Sequence, residues 1–388
     1  MLFFSTSPLC HVHLEIKNTD QDPTVGTFLR TLADKRPRLP HLAVIGNLNQ
    51  QSLAPICEFK HLRSLVLRDT IGISNDLLHA IAAFSHITRV EIDLRGVEHA
   101  PECIWPQESF QSLENLTIYG TLCQFSAMMG ALSTKTLTSI DLFVTQTQTR
   151  LGRSQGNDSE DWRRYFEALV SRSRLSLRRI QVDYPGPVSF RGKKMQRTRS
   201  IIEPLLQIPG LEYVNFFSRR SLLLSDEDVH EIASAWPNIV TLNLPHAHNE
   251  RPTVTSLVQL ARLCPCLTSL KLNIDMNNMS AIEYAPTSTH PLRSWIAGDT
   301  QIDRPTFFIR HLHRIFPSLD RIDCVNVRAE HVTIHDLIDL CRAIVADERV
   351  VLGSYQTFPS NHVKNPGGSS SPSQSQVSVT PFHNPSCY

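Results

Sequence analysis

Trp236–Leu244 reads WPNIVTLNL, and Cys264–Leu272 reads CPCLTSLKL. In each, a bulky or apolar residue and a proline stand ahead of an apolar anchor, Ile239 or Leu267. Apolar residues then return three and five positions after that anchor. Alternating apolar positions mark a short strand with one buried face. Such a unit cannot bury that face alone, so its recurrence predicts a stack of like units. Sliding the pattern outward finds twelve anchors: Leu9, Leu39, Leu62, Ile87, Leu113, Leu137, Leu177, Leu211, Ile239, Leu267, Leu292 and Leu319. Nine of the eleven spacings fall between 23 and 30 residues, and the two longer ones enclose polar inserts near 147–161 and 185–200.

Helical patterns lie between the anchors. Ser225 is placed to cap SDEDVHEIASAW with Asp228 as its box partner, and Val229, Ile232, Ala233 and Trp236 line one face. TSLVQLARL repeats the pattern with Leu257, Val258 and Ala261, and Asn75 introduces DLLHAIAAF. Phe307, Phe308, Leu312, Ile315 and Phe316 form a further apolar stripe, assigned to the core. Proline two positions before the anchor (Pro37, Pro209, Pro237, Pro265, Pro317) ends a helix before its strand begins. One unit is therefore strand, loop and helix, and stacking gives an inner parallel sheet with helices outside. The array is expected to span residues 1–346, closed by the amphipathic helix IHDLIDLCRAIV. The Ser/Pro-rich tail 347–388 has too few apolar residues to offset chain entropy and is expected to be disordered.

The charges nearly cancel, 38 Lys+Arg against 37 Asp+Glu, so no global field draws the chain to nucleic acid or a membrane surface. Nine scattered cysteines suit reduced thiols, hence a cytoplasmic or nuclear location. The opening MLFFSTSPLCHVHL lacks a basic leader region and is read as structure, and no run is long enough to span a membrane. There is no phosphate-binding glycine loop, nucleophile-elbow serine, His-Glu-x-x-His helix or paired Cys-x-x-Cys, so neither an enzyme nor a metal or cofactor protein is expected. Cys264 and Cys266 read as packing, His11, His13, His246 and His248 as strand-edge or loop residues, and the basic run Arg191–Arg199 as a solvated loop.

Three phrases follow in order: SDEDVHEIASAWPNIVTLNL, TSLVQLARLCPCLTSLKL and HPLRSWIAGDTQIDRPTFFIRHLHRIFPSLDRI. Together they resemble the C-terminal repeat region of fungal (basidiomycete-type) F-box proteins with leucine-rich repeats, where a "WPNL", a "CPNL" and a closing "FP.L" repeat succeed one another. The resemblance is strongest over 211–322. It implies an α/β leucine-rich-repeat solenoid, or horseshoe, with parallel inner strands and outer helices. It also implies a non-catalytic module that selects protein substrates for an SCF-type ubiquitin ligase. Two departures stand out. The asparagine or cysteine ladder expected eight residues after each anchor is replaced by Thr70, Arg95, Thr121, Thr145, Asp275 and others. The family's F-box is not found, so a Skp-type adaptor is expected as a partner only through an F-box encoded upstream. A stand-alone repeat scaffold or inhibitor unrelated to ubiquitin is the alternative.

Strand side chains alternate, so positions two, four and six after each anchor are expected on the concave face. In mid-array these are Arg89, Glu91 and Asp93; Asn115, Thr117 and Tyr119; Ser139, Asp141 and Phe143; Arg179, Gln181 and Asp183; and Tyr213, Asn215 and Phe217. Aromatic groups flanked by Arg and Asp match the make-up of protein-binding hot spots. Tyr119, Phe143, Tyr213 and Phe217 are expected to anchor a protein partner. Asp141, Arg179, Asp183 and Asn215 are expected to orient it.

Overall fold

The computed structural model describes residues 9–17, 22–95, 97, 109–145, 158–184, 198–218, 223–244, 251–276, 288–298, 305–324 and 339. These belong to one unit, Met1–Cys341. The expected closing helix (except Asp339), the tail, His246, His248 and the basic run up to Arg197 lie outside the described residues.

Every anchor stands two residues ahead of a strand. The strands are β1 (His11–Glu15), β2 (His41–Ile45), β3 (Ser64–Arg68), β4 (Arg89–Asp93), β5 (Asn115–Gly120), β6 (Ser139–Val144), β7 (Arg179–Tyr184), β8 (Tyr213–Ser218), β9 (Thr241–Asn243), β10 (Ser269–Lys271), β11 (Ser294–Gly298) and β12 (Arg321–Cys324). They form one parallel sheet in sequence order. Register follows the anchors: Arg89, Asn115, Ser139, Arg179, Tyr213, Thr241, Ser269, Ser294 and Arg321 are successive partners. Just ahead of the strands, one carbonyl accepts two N–H groups from the next repeat, as Thr138 O does from Arg178 and Arg179 at 2.9 and 3.0 Å. This is an α/β leucine-rich-repeat solenoid.

Between strands lie α1 (Asp22–Lys35), α2 (Gln50–Leu53), α3 (Asn75–Ala82), α4 (Leu122–Ala131), α5 (Asp158–Ser173), α6 (Thr198–Ile202), α7 (Asp226–Ala235), α8 (Val254–Leu263) and α9 (Pro305–Ile315). Short polar side chains (Asn49, Ser74, Thr121, Ser225 and Thr253) start α2, α3, α4, α7 and α8. The Ser225–Asp228 box closes in both directions at 3.2 and 2.9 Å, and Thr121 and Gln124 form a second box on α4. Ser74, and not Asn75, caps α3. Asp226 reaches into the following repeat, accepting from the Thr253 N–H at 2.8 Å and from the Thr253 and Ser256 hydroxyls. The first turn of α7 is thereby tied to the cap of α8.

Three expectations change. Helices α5 and α6 begin inside the expected inserts, because acidic residues suit the first turn of α5 and Thr198, Ile201 and Ile202 of α6 are buried. The buried face of α8 is Val254, Leu257 and Leu260, with Val258 and Ala261 at its margin. Phe307 is on the exposed side of α9 against His311, a helical step of about 100° from the buried Phe308.

The residue three before the anchor builds a column through most of the repeats, Arg36, Arg174 and Thr289 being the exceptions among the described residues. Phe59, Phe84, Phe110, Ile208, Trp236, Cys264 and Phe316 are all buried there. Three residues at this position donate backward: Thr134 Oγ1 to Leu113 O at 2.9 Å, Trp236 Nε1 to Leu205 O at 3.2 Å, Cys264 Sγ to Ala233 O at 3.6 Å. The packing role expected of Cys264 follows, and burial pushes its thiol up to about 12.

Beside this column, His290 is buried against Phe316. Its Nδ1 accepts from the Leu292 N–H at 3.2 Å, which leaves Nε2, 2.8 Å from Cys264 O, as the donor of a neutral ring. Burial, opposed by the Cys264 carbonyl, lowers its pKa below the ordinary 6.5. A base with a lowered folded pKa contributes stability above its unfolded pKa and loses it as pH falls. Chemical denaturation from about pH 7 to about pH 5 should show falling stability. His290→Gln should be less stable at the upper end and show a flatter profile. Equal slopes for the two proteins would count against His290 as the source.

Candidate functional site

The side of the sheet opposite the +3 and +5 core positions carries three rows, at the second, fourth and sixth residues after each anchor. Each strand is about 4.8 Å from the next, so partners in a row are near neighbours. In the outermost row Asp93, Tyr119, Phe143, Asp183 and Phe217 are successive register partners from β4 to β8. Tyr119 and Phe143 stack with centroids 4.5 Å apart and planes 10° from parallel. In the innermost row Arg179 lies 3.8 Å over the Tyr213 ring. The same Arg179 donates to Asp141 at 3.3 Å and to Gln181 at 2.9 Å, so it joins β6, β7 and β8. Phe217 is 42% exposed, and Tyr119, Phe143, Tyr213 and Asn215 are half-buried.

Five of the expected residues thus meet in two clusters, Tyr119 with Phe143 and Asp141 with Arg179 and Tyr213. Asp183 stands in register between Phe143 and Phe217. Asn215 stands between Gln181 and Asn243, and makes no side-chain hydrogen bond among the described residues.

Glu91 and Asp93 depart from the expected exposure, at 5% and 1%. Charge pairing is the cause. Arg68 binds Glu91 through two nitrogens, Arg89 approaches it at 3.8 Å, and the Tyr119 hydroxyl donates to it at 3.4 Å. Asp93 is enclosed by the Arg95 side chain and by the N–H groups of Asp69 and Arg95 at 3.1 and 3.0 Å. A buried carboxylate is tolerated where such donors replace its water. Arg95 at the former ladder position pairs with Asp69 as well, at 2.6 Å. Thr70, the ladder residue one repeat earlier, is buried with its hydroxyl unbonded.

No protein-family model and no curated protein matches this chain. Among solved structures it is similar to an internalin from Listeria monocytogenes, at 10% identity and a TM-score of 0.44 over 79% of each chain. It is also similar to the Rad7 and Elc1 complex of yeast, at 16% identity and a TM-score of 0.39 over 70% of this chain and 72% of that one. A third is a leucine-rich-repeat protein of Leptospira interrogans, at 12% identity and a TM-score of 0.34 over 81% of this chain and 89% of that one.

The face continues past the residues singled out from the sequence. Asn243, Lys271 and Ile296 extend the middle row across β9, β10 and β11. The same counting rule applied to anchors Ile239, Leu267 and Leu292 finds all three.

Asp141 carries a cost for its place in the site. Desolvation raises its pKa above the ordinary carboxylate value, and Arg179 opposes this only in part. A carboxylate with a raised folded pKa contributes stability at acid pH that is lost as pH rises. Asp141→Asn should therefore be the more stable protein near neutral pH, with the gap closing below about pH 4. Thermal denaturation across that range checks it, and a wild type more stable at neutral pH would show the ion pair outweighing desolvation.

Proposed function

We propose that the open face from β4 to β8 binds a protein partner and that the chain is the substrate-recognition part of an F-box-type SCF ubiquitin ligase subunit. The observation that carries partner binding is the fixed aromatic set: Tyr119 and Phe143 are stacked, Tyr213 sits under Arg179, and Phe217 is exposed. Tyr119, Phe143 and Tyr213 are ordered by side chains of adjacent strands before any partner arrives, which lowers the entropy lost on binding. Specificity then comes from Asp141, Arg179 and Asp183, whose charges set which partner surfaces are accepted. The ligase role rests on the ordered WPNI, CPCL and FPSL phrases of the sequence. Among the described residues no helix is long and apolar enough to cross a membrane, and a cytoplasmic or nuclear setting accords with the proposed role.

The test is to read the 5′ end of the transcript and to challenge its full product with a Skp-type adaptor. An in-frame upstream F-box with adaptor capture supports the ligase reading. A product that starts at Met1 and captures no adaptor supports the stand-alone scaffold instead.

A further inference from the structure

The open face divides into two chemically different sectors. From β3 to β7 its cations are matched: Arg68 and Arg89 with Glu91, and Arg179 with Asp141. From β8 to β11 the described positions of the three rows hold no Asp or Glu. Lys271 is the one cation of that sector, and it has no carboxylate partner among the described residues. Its ammonium lies 5.4 Å from the Phe217 ring centroid. In register it is flanked by Asn243, then Asn215, on one side and by Ile296 on the other. Neither Asn215 nor Asn243 has a side-chain hydrogen bond among the described residues. Two positions beyond Lys271, Asn273 is 4% exposed with both its amide nitrogen and amide oxygen unbonded. A buried amide with neither end satisfied is rare, because its desolvation is uncompensated. Ile296, 37% exposed, and Phe217 provide apolar surface on either side of the cation.

An unmatched ammonium beside open amide groups, in a sector without carboxylates, is complementary to an anion. The row from Asn215 to Ile296 crosses four strands, about 14 Å, which is the reach of roughly four residues of extended chain. We propose that β8–β11 forms an anion-reading subsite that takes an acidic side chain, carboxylate or phosphate, from an extended segment of the partner, with an apolar neighbour resting on Phe217 or Ile296. This deepens the partner-binding reading of the open face and rests on it.

The test uses the full chain immobilised against four peptide pools with degenerate flanks and a fixed central Asp, phosphoserine, Lys or Ala. Wild type should retain the Asp or phosphoserine pool about tenfold over the Lys pool, the size expected for one charge-assisted contact. Lys271→Met should remove that preference while holding the Ala pool as before, and Lys271→Glu should turn it toward Lys. Stronger retention of phosphoserine than Asp identifies phosphate as the source, and equal retention identifies a carboxylate. The inference is overturned if wild type holds the Lys pool equally well, if it retains no pool, or if Lys271→Glu keeps the acidic preference. The double variant Tyr213→Ala and Phe217→Ala separates the two readings. If acidic preference is absent but this variant loses the Ala pool, only the subsite fails. If the Ala pool is held regardless, the open face is not the binding face. Unchanged melting temperatures establish that each variant is folded.

Discussion

Trp236→Ala should destabilise the array by about 3–5 kcal/mol, the range for emptying a fully buried large aromatic site. Trp236 has no solvent exposure and serves three repeats at once. Its indole donates to Leu205 O in the preceding repeat, its own carbonyl accepts from Ile239 N at 3.2 Å, and Cys264 Sγ from the following repeat approaches that carbonyl at 3.8 Å. Leu205 O also accepts from Ile208 N, so losing the indole does not leave it wholly unpaired. Trp236→Phe should for that reason cost only about 1–2 kcal/mol, one hydrogen bond and part of a ring. In a solenoid each repeat is held mainly by its neighbours, so the alanine variant weakens one joint specifically. Its denaturation should become broader, or split, with a lower apparent m-value, because the two flanks no longer unfold as one. Trp162 and Trp295 lie on opposite sides of the joint, and versions that keep only one of them, with the other tryptophans replaced by Phe, report on the flanks separately by fluorescence. Leu175→Ala is the control: Leu175 is 85% exposed, and its loss should move stability by less than about 0.5 kcal/mol. A Trp236→Ala protein as stable as this control would refute the column as a structural spine.

That spine was legible in the sequence because its signal is covalently local. The anchor recurs in every repeat, often behind a bulky residue and in five repeats behind a proline, and each strand then starts two residues later. Burial of the +3 and +5 positions follows from alternation alone. What the pattern could not supply is who faces whom between strands. Glu91 and Asp93 sit at positions that alternation sends to the open side, yet Arg68 of the neighbouring strand covers Glu91 and Arg95, just past the end of β4 itself, covers Asp93. Those partners are 23 residues away for Arg68 and two for Arg95, and no periodic rule selects them. The polar inserts were misread at their ends for a related reason. Composition marks Asp158–Asp161 as loop, whereas the same acids stabilise a helix start once the apolar face of Trp162, Tyr165 and Phe166 is buried behind them. Within the site, the four rings and their strands were readable, but the stacking of Tyr119 on Phe143 and the bridging role of Arg179 needed the sheet register.

Replacing Tyr213 and Phe217 together by alanine should weaken partner binding by more than about a hundredfold, since a central aromatic anchor contributes about 2 kcal/mol or more and the two are not strictly additive. The same change should leave the fold intact. Both side chains project from the open face, and their removal opens no cavity among the core residues Val214 and Phe216 that alternate with them. Arg179 would lose the Tyr213 ring but keep Asp141 and Gln181, and Lys271 would lose only a distant ring contact. The melting temperature should accordingly stay within a few degrees of wild type, as for substitutions away from the core. This pairing of outcomes separates a recognition role from a structural one: a packing residue moves both readouts together, a recognition residue only the first. The measurement is quantitative co-purification of bound proteins by wild type and variant, with circular dichroism on the same samples. A folded double variant that retains every wild-type partner at wild-type levels would move the binding surface away from β8, to the charge-paired sector around Glu91 or off the open face altogether.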